Sequence, residues 1–158
     1  MKRIRVLIVD DNDLIRNFVR SYLEHQDGFE VVGEACDGVE VVYLTQVCRP
    51  EVVLMDISMP HKDGLAATAD LSRECPQVRV IMMSSHDDTA YVQQAIRAGA
   101  VGYLVKPWSI NLEVVITAIA NGQTYFDPAV SQSLLHCVPP QLRDHIPGRY
   151  QKEKAQLK

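Results

Sequence analysis

The chain has 158 residues, 47% of them hydrophobic, and a formal net charge of −4. This length allows one substantial core with a short extension and is too small for two typical domains. The acidic balance argues against a chain that coats nucleic acid by itself, because non-specific DNA binding depends on Lys and Arg. The apolar runs are too short to span a membrane and no signal peptide is evident, so we expect a cytoplasmic protein.

The four cysteines show neither CxxC pairing nor metal-like spacing with the five histidines. We therefore expect free thiols in a reducing compartment. These residues are Cys36, Cys48, Cys75 and Cys137.

Strand-like apolar runs alternate with helix-like amphipathic runs in five βα units. The predicted strands are 4–9, 29–35, 52–56, 78–83 and 100–105, and the predicted helices are 14–23, 39–47, 64–74, 89–98 and 110–120. Asn12 or Asp13 is predicted to cap the first helix, and Asp87 or Asp88 the fourth. Short connections between such units imply a parallel sheet with right-handed crossovers and helices on both faces.

Reactive side chains follow four of the predicted strands. Asp10 and Asp11 come after the first strand, Asp56 ends the third, and Ser84 and Lys106 follow the fourth and fifth. Because the strands are parallel, all of these positions share the carboxyl edge of the sheet, where ligands of α/β proteins collect.

Three carboxylates brought together repel one another, so either a cation is bound or one carboxylate has a raised pKa. A hard ion such as Mg²⁺ accepts oxygen ligands and leaves room for a phosphoryl oxygen. With Lys106 as a cation and Ser84 as a hydroxyl donor, the set is suited to phosphoryl transfer onto a carboxylate. Taken singly, the same residues are also typical of helix caps, turns and a solvated lysine.

The runs VLIVDDND, VVLMDISMP, VIMMSSHDD and AGAVGYLVKP resemble the receiver domain of bacterial two-component response regulators. The resemblance covers residues 3–121. It implies an α/β, flavodoxin-like (βα)5 fold with a doubly wound parallel sheet in the strand order 2-1-3-4-5.

In such a domain Asp56 accepts a phosphoryl group from a sensor histidine kinase. The resemblance implies that Asp10, Asp11 and Asp56 bind Mg²⁺ together with the backbone carbonyl of Ser58. It also implies that Lys106 pairs with the phosphoryl oxygens and precedes a cis proline. The resemblance therefore implies a phosphoacceptor that phosphorylates and dephosphorylates itself, not a turnover enzyme.

The family resemblance also implies a switch, in which Ser84 moves to the phosphoryl group and Tyr103 follows by turning inward. The output surface is then the fourth helix, the fifth strand and the fifth helix. Alternatively, Tyr103 only covers the sheet and keeps its hydroxyl in water. Ser58 and His86 are candidates for modulating dephosphorylation, although His86 is equally compatible with an exposed loop position.

The segment 122–138 is predicted to be a helical extension, with Asp127 as the cap and Pro128 in the first turn of a helix at 129–137. It resembles the segment that follows the receiver in NarL/FixJ (LuxR-type) regulators, which continue into a helix-turn-helix domain. Residues 139–158 are polar and are expected to be a linker or flexible tail. DNA contact is therefore expected only through an output domain absent from this chain, and a phosphorylation-dependent homodimer is a candidate assembly.

Three functions stay open. The chain is the receiver half of a transcription factor, or a stand-alone receiver that acts in a phosphorelay or by binding a partner. A haloacid-dehalogenase-like phosphatase shares the aspartate nucleophile and Mg²⁺, but that family has an Asp two positions after its nucleophile, where this chain has Ser58.

Overall fold

The structure is a computed structural model that describes residues 2–87, 89–107 and 111–135, with the backbone alone for 132–135. The strands are β1 Ile4–Val9, β2 Phe29–Ala35, β3 Val52–Asp56, β4 Arg79–Ser84, β5 Gly102–Val105 and β6 Tyr125–Phe126. The helices are α1 Asp13–Glu24, α2 Val41–Cys48, α3 Gly64–Glu74, α4 Thr89–Ala98, α5 Leu112–Ala120 and α6 Pro128–Leu135, and a 3₁₀ turn at Gly38–Glu40 precedes α2.

All neighbouring strands pair in parallel, in the order β2-β1-β3-β4-β5-β6. The flavodoxin-like order 2-1-3-4-5 is therefore confirmed. The prediction of five strands was incomplete, because β6 adds a sixth strand at the edge of β5. A two-residue strand is too short to carry a hydrophobic period, so only its pairing with β5 defines it.

The sheet separates two apolar layers. On one side α2, α3, α4 and α6 cover residues that include Leu7, Val53 and Met82. On the other side α1 and α5 cover residues that include Ile8 and Leu54. The central strand β3 is buried along its whole length, as expected for a parallel strand with helices on both faces.

Side-chain caps fix two of the helix starts. The side chain of Asn12 accepts hydrogen bonds from the first turn of α1, and that of Asp63 accepts one from the first turn of α3. Gly99 follows α4 with φ of +108°, a left-handed conformation that favours glycine and ends the helix. Asp88, a candidate cap of α4, lies outside the described residues.

Several boundaries differ from the prediction by one or two residues. Strand β4 includes Ser84, and β5 begins at Gly102 instead of residue 100. The predicted second helix begins as the 3₁₀ turn, and the sixth begins one residue early, at Pro128. The predicted start of the fifth helix at Ile110 and the predicted end of the sixth at Cys137 lie outside the described residues, as does the tail 139–158.

Two further expectations concern thiols and membranes. Cys36, Cys48 and Cys75 are free thiols, and Cys137 lies outside the described residues. Within the described part of the chain, every helix is too short or too polar to cross a membrane.

Candidate active site

Asp56 is the last residue of β3 and is 7% exposed. The start of α3 lies directly against its backbone, because a Cβ added at Gly64 would come within 2.0 Å of the Asp56 carbonyl oxygen. The Gly64 N–H also donates to the Ile57 carbonyl oxygen at 2.7 Å. This contact fixes where the chain turns after β3, and so holds the Asp56 carboxylate at the sheet edge.

Asp10 and Asp11 lie beside Asp56 at the end of β1. Asp10 is fully buried, and one of its carboxylate oxygens accepts a hydrogen bond of 2.9 Å from the Asn12 N–H. Asp11 is exposed. One carboxylate oxygen from each of Asp10, Asp11 and Asp56 lies within 4.8 Å of the others. The cluster is therefore enclosed on the Asp10 side and open to solvent on the Asp11 side.

Lys106 bridges the two buried carboxylates. Its Nζ lies 2.6 Å from Asp10 Oδ2 and 3.2 Å from Asp56 Oδ1, and its side chain is 15% exposed. The Lys106–Pro107 peptide bond is cis, as the family resemblance implies. When ionised, the three carboxylates and one ammonium carry a net charge of −2, since −3 and +1 combine.

Burial and neighbouring charges perturb the pKa of the Asp56 carboxyl. Burial raises the pKa of the Asp56 carboxyl to about 6, against an ordinary value of 3.8. The Lys106 ammonium opposes this effect, while the charges of Asp10 and Asp11 add to it. At neutral pH the Asp56 carboxyl is mostly ionised but poorly solvated, which is a state that positive charge nearby would stabilise.

The donor set fits a hard divalent cation. All three side chains offer carboxylate oxygens, the kind of ligand that Mg²⁺ prefers, and the open side leaves space for water or a phosphoryl oxygen. Because the ionised cluster keeps a net negative charge beside Lys106, it attracts such an ion. Asp10, Asp11 and Asp56 are the residues that could hold it.

Hydrogen bonds through the backbone of His86 connect the two candidate switch residues, Ser84 and Tyr103. Ser84 is buried, and its Oγ accepts a hydrogen bond of 3.0 Å from the His86 N–H. The Tyr103 hydroxyl donates to the His86 carbonyl oxygen at 2.6 Å. The Tyr103 side chain is fully buried, so the alternative in which its hydroxyl stays in water is wrong.

The His86 side chain is half-buried instead of exposed. Its ring stacks on Tyr91 of α4, with the centroids 4.3 Å apart and the planes 17° apart. Ser58 is exposed in the loop two residues after Asp56.

Residues 6–119 match the family model of the response regulator receiver domain. The chain belongs to this family.

Two named relatives align with most of this receiver. It is 37% identical over 134 residues to the transcriptional regulatory protein DegU of Brevibacillus brevis and 38% identical over 133 residues to the response regulator GacA of Pseudomonas protegens. Each alignment covers 84% of this chain but only 57% and 62% of DegU and GacA, respectively. The chain thus spans about three fifths of the length of these relatives.

Solved structures agree with the fold. A two-component response regulator of the LuxR family from Aurantimonas sp. SI85-9A1 superposes with a TM-score of 0.80 at 29% identity, over 85% of this chain and 97% of that one. The signal receiver domain of NarL from Mycobacterium tuberculosis gives 0.71 at 33% identity, over 78% of this chain and 100% of that one.

Two residues of the receiver site carry little sequence signal of their own. The sequence marks Gly64 only as part of the start of α3, and its contact with the Asp56 backbone depends on how α3 returns to β3. Tyr91 has the pattern of an ordinary helix residue, and only the fold brings its ring onto His86. The Asp63–Gly64 pair after an apolar strand is a local signal for the Gly64 contact, and the Tyr91 contact has no such signal.

Proposed function

We propose that this receiver accepts a phosphoryl group on Asp56 from the phosphohistidine of a sensor histidine kinase. The observation that carries the proposal is the position of Lys106, whose ammonium contacts the carboxylates of Asp10 and Asp56 at the open edge of the sheet. Asp10, Asp11 and Asp56, with the backbone carbonyl of Ser58, would hold Mg²⁺. When bound, Mg²⁺ supplies positive charge that stabilises the phosphoryl oxygens.

In the proposed step, a carboxylate oxygen of Asp56 forms a bond to phosphorus while the N–P bond of the phosphohistidine breaks. The imidazole leaves with the electron pair of that bond and takes up a proton. Asp56 needs no general base, because its carboxyl is mostly ionised above about pH 6. The Lys106 side chain lies beside the two buried carboxylates and can turn towards the phosphoryl oxygens.

The receiver then switches through Ser84 and Tyr103. The added phosphoryl oxygens can accept a hydrogen bond from the Ser84 hydroxyl. A movement of Ser84 towards them would change the hydrogen bond that Ser84 Oγ now accepts from the His86 N–H. His86 passes the change to Tyr103, whose hydroxyl binds its carbonyl. Output is proposed to run through the surface of α4, β5 and α5, and Ser58 and His86 are proposed to modulate hydrolysis of the phosphoryl group.

We further propose that the output is transcription. The support is that DegU carries the name of a transcriptional regulatory protein, and that this chain aligns with three fifths of it. The receiver, at residues 3–121, and the extension, at 122–138, would act on a LuxR-type DNA-binding domain outside this chain, in the cytoplasm, as a phosphorylation-dependent homodimer. A stand-alone receiver in a phosphorelay is the alternative with the same chemistry.

The test is phosphorylation of the full chain by acetyl phosphate with Mg²⁺. Wild type should take up about one hydroxylamine-sensitive phosphoryl group per chain, and Asp56→Asn should take up none. Asp70→Asn is the matched control, because Asp70 is a half-buried carboxylate of α3 that pairs with Lys62 and Arg73 and is not part of the cluster of Asp10, Asp11 and Asp56. Full labelling of Asp56→Asn would refute the assignment.

Sedimentation of the same samples addresses the output. A dimer that forms only in labelled wild type supports paired DNA-binding domains, whereas a labelled monomer favours the phosphorelay. Steady turnover of a generic phosphate ester would instead indicate the phosphatase alternative, since a receiver is expected to take its phosphoryl group from phosphohistidine or an acyl phosphate and not from such an ester.

A further inference from the structure

The chain after α5 is bound to the strand that carries Tyr103. The Tyr125 N–H donates to the Val101 carbonyl oxygen at 3.1 Å, and the Asp127 N–H donates to the Tyr103 carbonyl oxygen at 2.8 Å. These bonds form the β5–β6 ladder, in which Tyr103 pairs with Phe126. We call residues 125–131 the C-terminal arm.

The carboxylate of Asp127 joins the arm to β5 a second time. Its Oδ2 accepts from the Val105 N–H at 3.3 Å, and its Oδ1 accepts from the Ala129 N–H at 3.0 Å in the first turn of α6. One side chain therefore links the end of β5 to the start of α6. The arm is held on β5 by backbone pairing and by this carboxylate.

Apolar packing holds the other end of the arm. Val130 of α6 is fully buried in the layer that also contains the fully buried ring of Tyr103. Val92 and Ala95 of α4 belong to the same layer, and α6 packs against α4. The inward position of the Tyr103 ring and the docked position of Val130 thus depend on one shared core.

We infer that the C-terminal arm is a positioning element whose docking is coupled to the inward position of Tyr103. If the ring left this layer, the core that Val130 occupies would lose one of its largest members, and close-packed cores do not tolerate such a void. Whatever stabilises the inward ring therefore stabilises the docked arm, and by linkage the reverse is also true.

The coupling extends to the candidate active site through three consecutive contacts. Ser84 accepts from the His86 N–H, the His86 carbonyl accepts from the Tyr103 hydroxyl, and the Tyr103 carbonyl accepts from the arm at Asp127. This part of the inference rests on the proposed function, in which Ser84 responds to the phosphoryl group.

Two consequences follow for the output. The chain continues beyond Leu135 from α6, so the position of α6 sets the point at which the following residues leave the receiver. The arm also covers the edge of β5 and contacts α4, so a second copy that paired through β5 and α4 would meet the arm first. The extension is then part of the switch surface and not only a connection.

The test is amide hydrogen exchange, resolved by residue, on the full chain. Tyr103→Phe keeps the ring but removes the bond to His86, and the amides of Tyr125 and Asp127 should exchange about fivefold faster, equivalent to about 1 kcal/mol. Tyr22→Phe is the matched control, because its hydroxyl also has a partner, Glu113, but in the opposite apolar layer. Unchanged arm amides in Tyr103→Phe, or equal acceleration in the control, would overturn the inference.

Phosphorylation provides the second measurement. With acetyl phosphate and Mg²⁺, the arm amides of wild type should exchange more slowly, and those of Asp56→Asn should not change. Incorporated label with unchanged arm amides overturns the inference and leaves the phosphoacceptor role intact. Absence of label refutes the proposed function, and the comparison of the two tyrosine variants then still decides whether the arm is coupled to Tyr103.

Discussion

Replacing Asp56 by Asn should stabilise the fold in the absence of divalent cations. The wild-type carboxylate is buried at the end of β3, where its charge is poorly solvated and lies near two other carboxylates. An asparagine side chain has almost the same shape and can still accept a hydrogen bond from Lys106. The variant therefore removes the unfavourable charge while keeping the packing.

The size of the effect follows from the raised pKa of Asp56. Because one pKa unit corresponds to about 1.4 kcal/mol, a rise from 3.8 to about 6 costs the folded state roughly 3 kcal/mol at pH 8. Between these two pKa values the folded chain binds more protons than the unfolded chain, so stability falls as the pH rises through this window. At pH 5 roughly half of the cost remains.

The assay is urea unfolding of both chains in EDTA at pH 5 and pH 8. The Asp56→Asn substitution is expected to raise the free energy of unfolding by up to about 3 kcal/mol at pH 8 and by about half as much at pH 5. Adding Mg²⁺ should stabilise wild type and leave the variant nearly unchanged, because the ion binds the folded carboxylates. A variant less stable than wild type at pH 8, or a pH-independent difference, would refute the reasoning.

Three further substitutions test other parts of the site. Lys106→Met should slow labelling by acetyl phosphate about 100-fold, because it removes the cation at the two buried carboxylates, whereas the surface control Lys62→Met should label normally. Gly64→Ala should lower the free energy of unfolding by about 3 kcal/mol in urea, because its Cβ meets a carbonyl oxygen, whereas Gly28→Ala, with nothing within 4 Å, should change it by less than about 1 kcal/mol. His86→Ala should lengthen the half-life of the phosphorylated chain, and an unchanged half-life would exclude a role in hydrolysis.

Much of the fold was predictable because its local patterns agree with its tertiary structure. The strand 52–56 is apolar until its last residue, and the structure buries it on both sides of the sheet. Asn12 and Asp63 occupy capping positions that their side-chain chemistry favours. Helical spacing was less informative about burial, since Leu14 and Phe18 fit the pattern of α1 yet are 78% and 58% exposed.

The clustering of the site residues was predictable for a topological reason. Parallel strands end at one edge, so Asp10, Asp11, Asp56 and Lys106 had to come together if the βα units were correct. The sequence could not specify which carboxylates Lys106 would contact, or that Asp10 would be buried and Asp11 exposed. Those features depend on side-chain packing across three separate strands.

The contacts around Tyr103 were beyond sequence reasoning for a similar reason. Its hydroxyl meets a backbone carbonyl, which every residue has, so no residue type in the loop after β4 marks the partner. The strand β6 has only two residues, and its neighbours Asp127 and Pro128 indicate only a helix start. The strand β6 depends on the edge that β5 leaves unpaired, and the Tyr103 contact depends on how the loop after β4 packs, so neither is decided by local propensity.

Burial of Asp56, the proposed phosphoacceptor, would link stability to switching. A carboxylate that is costly when charged makes the receiver respond strongly to anything that changes the charge near Asp56, including a divalent ion, Lys106 or a phosphoryl group. A solvated aspartate would be screened, and its modification would transmit little free energy. The two groups proposed to respond, Ser84 and Tyr103, are also buried, and the backbone of His86 links them, since its N–H donates to Ser84 and its carbonyl accepts from Tyr103. The instability that Asp56→Asn should relieve is therefore the same property that would let phosphorylation act on α4, β5 and the arm.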